Sequence, residues 1–172
     1  TPAKISVTGN VNINPLANGT ATISNGSGTG STGFVDLGGG ARTFNVGNGP
    51  ASIDLDVEVP ITNGSLTKSG TGTMRLSGSN TFSAVTIGGG VLRTNHASAL
   101  TNEMAVTVNN GGTLDLNGIS DTIASLSSAA GNTTGAVAQG AANLTLSASS
   151  GTFTYGGTVT GTGTLAKNGA ST

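Results

Sequence analysis

The sequence predicts an all-β protein wound as a solenoid of stacked coils, and three observations carry that expectation. Short runs of alternating apolar and polar residues recur along the whole chain, as half-buried strands require. Turn dipeptides separate the runs. The chain also repeats itself at a long internal period, the mark of a stacked architecture.

The alternation is strictest in Ser52-Ile53-Asp54-Leu55-Asp56-Val57-Glu58-Val59, with Ile53, Leu55, Val57 and Val59 on one face. Comparable short runs lie at 5–8, 11–13, 20–24, 34–37, 43–46, 73–76, 84–87, 91–93, 105–108, 113–116, 143–146 and 152–155. Only 98–104 and 125–130 could make a turn of helix, and neither sustains a helical period. Asn-Gly marks the turns at Asn18-Gly19, Asn25-Gly26, Asn48-Gly49, Asn63-Gly64, Asn110-Gly111, Asn117-Gly118 and Asn168-Gly169, because both residues tolerate positive φ.

Composition sets the kind of core. Gly is 30 of 172 residues, aromatics are 3% and charged residues 8%, with no Trp. Hydrophobic residues are 34%, too few and too small for a compact sphere, so the core must be thin and built from Val, Ile, Leu and Ala. Disorder is disfavoured, because charge and Pro are both scarce and β-branched residues recur.

The repeat appears when the chain is shifted by 99 residues on itself. Val7-Thr8 falls on Val106-Thr107, Asn10 on Asn109, and Asn18-Gly19 on Asn117-Gly118. Gly64, Leu66, Lys68, Gly70 and Thr73 fall on Gly163, Leu165, Lys167, Gly169 and Thr172. We therefore expect one continuous solenoid in three stretches: 1–63 as the back part of a diverged repeat, 64–162 as one full repeat, and 163–172 as the start of the next. At ~20 residues per coil, the chain would make roughly eight or nine short coils.

The segment from Gly64 to Leu100 carries a family resemblance. Ser65-Leu66-Thr67-Lys68-Ser69-Gly70-Thr71-Gly72-Thr73-Met74-Arg75-Leu76-Ser77-Gly78-Ser79-Asn80-Thr81-Phe82 resembles the autotransporter-associated β-strand repeat of bacterial surface proteins. Val85–Arg93, with its corner Gly88-Gly89-Gly90, is similar to that family's following strand-turn-strand, and Val106–Gly118 to its next coil. Met74 stands where the family usually has Leu, and Phe82 where it has Tyr. The resemblance implies a right-handed parallel β-helix in a secreted or surface-exposed protein, with Leu66, Lys68, Gly70, Gly72, Leu76, Gly78, Asn80, Leu165, Lys167 and Gly169 as repeat-signature positions. It implies no activity. On alternation, Leu66, Met74, Leu76, Phe82, Val85, Ile87, Val91, Leu114 and Leu116 should form the core.

Candidate chemistry is sparse. Gly28-Thr29-Gly30-Ser31-Thr32-Gly33 spells GxGxxG, but no helical pattern follows it, so it reads as a Gly/Ser/Thr loop. Asp54, Asp56 and Glu58 form a row that could offer oxygens to Ca²⁺ or an acid pair for glycoside cleavage. The plainer reading is a solvated outer strand face, which leaves them a weak metal candidate. His96 is the sole histidine and reads as a surface residue. Lys68 and Lys167 should serve a turn or stand in solvent, and Asn80 should satisfy turn backbone between coils. Pairs such as Thr20/Thr22, Thr71/Thr73, Thr152/Thr154 and Thr158/Thr160 raise an ice-binding face, but their spacing is not one coil.

The formal net charge of −1 gives no basic patch for nucleic acid or anionic lipid. Cysteine is absent, which removes disulfides and thiolate metal sites. No apolar run reaches the ~18 residues of a membrane helix, so no membrane insertion is expected. The chain opens at Thr1 without a leader, as expected of a segment processed or excised from something longer. We expect no enzyme and no cofactor. The chain should be a structural or display solenoid outside a bacterial cell, as an autotransporter-like shaft, adhesin stalk or fibre module. A self-assembling filament subunit and a carbohydrate-active β-helix are the alternatives. Partners would be neighbouring repeats, other copies end to end, or surface glycans of a host or neighbouring cell.

Overall fold

The computed structural model describes residues 2–26, 32–101, 103–170 and 172. Most of the GxGxxG stretch, at 28–31, lies outside the described residues, and Gly33 opens a strand. The first coil carries β1 (Ala3–Ser6), β2 (Val11–Ile13) and β3 (Ala21–Ile23). The second carries β4 (Gly33–Asp36), β5 (Ala41–Val46) and β6 (Leu55–Val57), and the third β7 (Ile61–Thr62), β8 (Ser65–Ser69) and β9 (Thr73–Leu76). Two strands per coil follow: β10 (Ala84–Ile87) with β11 (Gly90–Thr94), then β12 (Ala105–Val108) with β13 (Gly112–Asp115). The sixth coil has β14 (Asp121–Ile123), β15 (Ser125–Ser127) and β16 (Ala136–Gly140). β17 (Leu144–Leu146), β18 (Thr158–Gly161) and β19 (Leu165–Lys167) continue the stack.

These strands form three faces of a parallel β-solenoid of about six turns. One face is a six-stranded sheet ordered β2-β5-β8-β10-β12-β15, and a second is seven-stranded, ordered β3-β6-β9-β11-β13-β16-β18. The third face holds β1-β4-β7 at one end and β14-β17-β19 at the other. Every pairing between described strands is parallel, as for β8 with β10 and β9 with β11.

The count of eight or nine coils is corrected to about six. Later coils advance by 18 to 24 residues, as in Thr73 to Val91 and Val108 to Asn132. The first coil is much longer, because Asn12 meets Asn45 after 33 residues. Its extra residues lie in loops between strands, which an even ~20-residue period does not anticipate.

The core is a set of columns. Leu55, Met74, Leu92, Leu114 and Val137 stack in register across five strands, and each is fully buried. On the six-stranded sheet, Leu66, Val85, Val106 and Leu126 form a second buried column. Side chains alternate across a strand, so one apolar residue per coil fills each column, with Phe44 and Phe82 the buried aromatics among the described residues. Val91 departs from the expected core. It pairs with Thr73 and Thr113 on the outer face, and Leu92 points in instead. Gly90 begins that strand one residue earlier than the sequence run suggests and sets its phase.

The run 52–59 is also shorter than expected: only Leu55–Val57 is strand, and Asp54 and Asp56 are buried beside Ile53, Leu55, Val57 and Val59. No helix forms among the described residues. Ser125–Ser127 is strand, since Leu126 has to fill its column. Asn63 and Asn117 take positive φ in two of the expected Asn-Gly turns.

Signature glycines mark where coils touch. A Cβ at Gly70 would collide with the Val46 carbonyl, one at Gly72 with that of Gly47, and one at Gly78 with that of Val59. Gly70 also has φ +75°, a conformation that other residues enter only at a cost.

Truncating the column should hurt far more than trimming the outer face. Leu92→Ala is expected to lower the unfolding free energy by about 3 kcal/mol, and Val91→Ala by under about 1 kcal/mol, both read from urea denaturation.

Candidate functional site

Polar side chains enter the stack at several places, Lys68, Asp54, Asn80 and Asp56 among them, and these are the nearest thing to a site. Lys68 is the most unexpected. Period-two alternation from Leu66 puts it on the inner face of β8, in register with Phe44 and Ile87, and it is fully buried. Neither the solvated reading nor the absence of desolvation holds for it. Its ammonium donates three hydrogen bonds of 3.0 Å, to the carbonyls of Ser69, Gly70 and Gly89. Those three acceptors use all its donors. Burial lowers its pKa to about 8, opposed by the charge of Asp54. The turn role expected of Lys68 is what these bonds perform: they tie the glycine corner of one coil to that of the next.

Asp54 supplies the opposite charge. Its Oδ1 accepts from the Gly49 N–H at 2.6 Å, and its Oδ2 from the Thr73 N–H at 2.7 Å. A buried carboxylate is tolerated when backbone donors and a cation answer it.

Asn80 stands where the third face loses its strands. There the Thr81 N–H reaches the Ile61 carbonyl, and the Asn80 N–H reaches that of Ser98. The Asn80 side chain supplies the rest. Oδ1 accepts from the Ile61 N–H at 2.8 Å, and Nδ2 donates to the Ala99 carbonyl at 2.9 Å. One amide thus bonds the coil before and the coil after.

The row Asp54, Asp56 and Glu58 separates in space. Asp54 is held by backbone. Asp56 is buried and receives the Arg75 guanidinium and the Ser77 hydroxyl, while Glu58 is exposed. The solvated-face reading fails for the first two, because the 47–54 loop and the next coil cover them. Among the described residues, no group of three His, Cys, Asp or Glu side chains could hold a metal ion. The hydrogen bond from Arg75 to Asp56 raises the arginine's pKa, and burial opposes it. Asp56, Arg75, Arg93 and Asp115 stand in register along the seven-stranded sheet, where Arg93 Nε donates to Asp115 at 2.8 Å.

Other expected residues sit as follows. His96 is exposed, and its Nδ1 accepts from the Ser98 N–H at 3.0 Å. Leu76 is buried in β9. Leu165 and Lys167 lie in β19 on the third face, both exposed. Among the described residues, Lys167 keeps only the local bond, to the Gly169 carbonyl at 2.6 Å, which parallels the bond of Lys68 to Gly70. A Cβ at Gly169 would strike the Ala148 carbonyl.

Sequence reading missed one array. Thr43, Thr67, Thr86, Thr107 and Ser127 align in one outer column of the six-stranded sheet. The Thr-x-Thr pairs do not build it, and Thr20 is spent on the Ile53 carbonyl. Coil-length spacing between single Thr residues was the available signal, blurred by unequal coils.

A parallel solenoid in which the buried Lys68, Asp54 and Asn80 side chains bond neighbouring coils is a structural repeat. Its family follows from comparison. Residues 66–93 match the Passenger-associated-transport-repeat. Over 160 residues, 91% of the chain, it is 34% identical to the Adhesin BmaC autotransporter of Brucella suis biovar 1 (strain 1330). The chain spans about 5% of that protein's length. No solved structure matches it. The chain belongs to the autotransporter passenger repeats, and the matched stretch contains Lys68, Gly70, Gly72 and Asn80.

Two outcomes follow from the braces. Asn80→Leu should cost about 2–4 kcal/mol in urea unfolding, because it strands the Ile61 N–H and the Ala99 carbonyl. Lys68 binds its proton less tightly folded than unfolded. Its contribution to stability should therefore rise as pH climbs from about 8 toward 10.5. Lys68→Met should flatten that rise, measured as the unfolding midpoint against pH.

Proposed function

We propose that this chain is a shaft segment of an autotransporter passenger, a non-catalytic spacer carried outside the bacterial cell. The observation that carries the reading is the uninterrupted parallel stack, in which each coil completes the one beside it. Among the described residues, the exposed large hydrophobics are Ile5, Leu16, Phe153 and Leu165. Ile5 and Leu16 lie in the first coil, Phe153 between β17 and β18, and Leu165 in β19, toward the two surfaces on which further coils would stack. The adhesin relative supports a surface or secreted location. A catalytic reading gains little, because Asp54 and Asp56, the acids that it would use, are bound to backbone and to Arg75. No helix of the described residues is long and apolar enough to cross a membrane. The division into 1–63, 64–162 and 163–172 belongs to the same proposal, as a diverged duplication along one shaft.

The same exposed ends favour a second reading, in which copies stack end to end as a filament. Sedimentation over a wide concentration range decides between them: growing oligomers favour the filament, and a monodisperse monomer removes it.

Two measurements test the shaft. Antibody raised to this segment should label intact cells that make the parent protein; labelling only after permeabilisation would contradict the reading. Trypsin should leave Lys68, Arg75 and Arg93 uncut in the native chain, since they lie within paired strands. Rapid cleavage at Lys68 would count against a rigid stack.

A further inference from the structure

Asp121 occupies a place on the third face that repeats the situation of Asn80. The Asn80 N–H donates to the Ser98 carbonyl of the following coil at 3.0 Å, and the Asp121 N–H donates to the Asn143 carbonyl of its following coil at 2.9 Å. Both side chains turn into the stack, at 1% and 9% exposure. Their chemistry differs at one atom. The Asn80 amide accepts from the coil before and donates to the coil after. Asp121 accepts the Thr122 N–H on Oδ1 at 2.8 Å, while its Oδ2 is buried with no hydrogen-bond partner. An ionised carboxylate has no proton to give, and a buried unpaired charge is costly.

We propose that Asp121 is a proton-operated counterpart of the Asn80 brace: a neutral carboxylic acid tightens the sixth coil in the stack, and the ionised form loosens it. The ligand is the proton, bound on the orphaned Oδ2 beside a polar notch lined by Ala97, Ser120, Thr122 and Thr145. Burial raises this carboxyl's pKa to about 6, and the N–H groups of Thr122 and Leu100 oppose the rise. The Leu100 amide of the preceding coil faces the carboxyl and favours its charged form. The titratable groups on neighbouring segments are His96 and Glu103 on the loop above and Lys167 on β19, all exposed. None of them contributes to the shift.

A group whose pKa is higher folded than unfolded adds stability as pH falls through the folded value. The shaft segment should thus stiffen under mild acid.

The test is urea unfolding of the chain and of Asp121→Asn across pH, with carboxyl ¹³C titration by NMR. The unfolding constant of the wild-type chain should fall roughly ten-fold between about pH 7 and pH 5. Asp121→Asn should abolish that change and be at least as stable as wild type at neutral pH, while His96→Gln retains it. The Asp121 carboxyl resonance should titrate near pH 6, well above an ordinary aspartate. A pH gain that survives in Asp121→Asn, or an Asp121 resonance with an ordinary aspartate midpoint, overturns the proposal. Should Asp121→Asn fail to fold, the resonance decides alone.

Discussion

A coil of this solenoid cannot satisfy its own backbone. Each strand is two to six residues long, and its N–H and C=O groups find partners in the coils above and below. Buried backbone groups left unpaired cost about 1–3 kcal/mol each, so the stack must be continuous to be stable at all. The thin core follows from the same geometry. Coils lie ~4.8 Å apart, and one Leu or Val per coil fills each inner column.

Where the strand ladder fails, side chains replace it. Among the described residues, the third face has no strand in the fourth and fifth coils, and Asn80 carries bonds there. At the glycine corner, carbonyls of successive coils turn toward one another, and the Lys68 ammonium gathers three of them. Such polar groups in a core contribute less to net stability than apolar packing would. Their effect is on register: Lys68 in any other row of its column would lose its acceptors, and Asn80 one position along would leave both neighbouring coils unpaired. A stack of coils that share the same apolar columns needs such marks, because apolar columns alone accept a slip of one coil.

Much of the architecture was legible because period-two alternation and Asn-Gly turns are local signals. Leu66, Met74, Leu76 and Ile87 follow the alternation and are buried as it requires. Coil number was not legible, since the long first coil hides its spacing in loops. Val91 and Leu92 exchanged roles because the phase of β11 is set by the close approach at Gly90, which no alternation reveals. Lys68 is the instructive case. The same alternation that buries Leu66 also buries Lys68, but charge argues for solvent unless the turn carbonyls are known to converge. The acids at Asp54 and Asp56 misled in the same way, because Thr73 and Arg75 come from the next coil and Gly49 from the loop that folds back on Asp54.

The central claim is that strand ladders and side-chain braces make the middle coils a single mechanical unit. Native-state hydrogen exchange, followed amide by amide, tests it most directly. The account predicts one block of slow amides from β4 through β16 that opens together, with the Ile61 N–H as protected as amides paired strand to strand. Protection that decays independently coil by coil, or fast exchange at Ile61 inside an otherwise protected core, would contradict it.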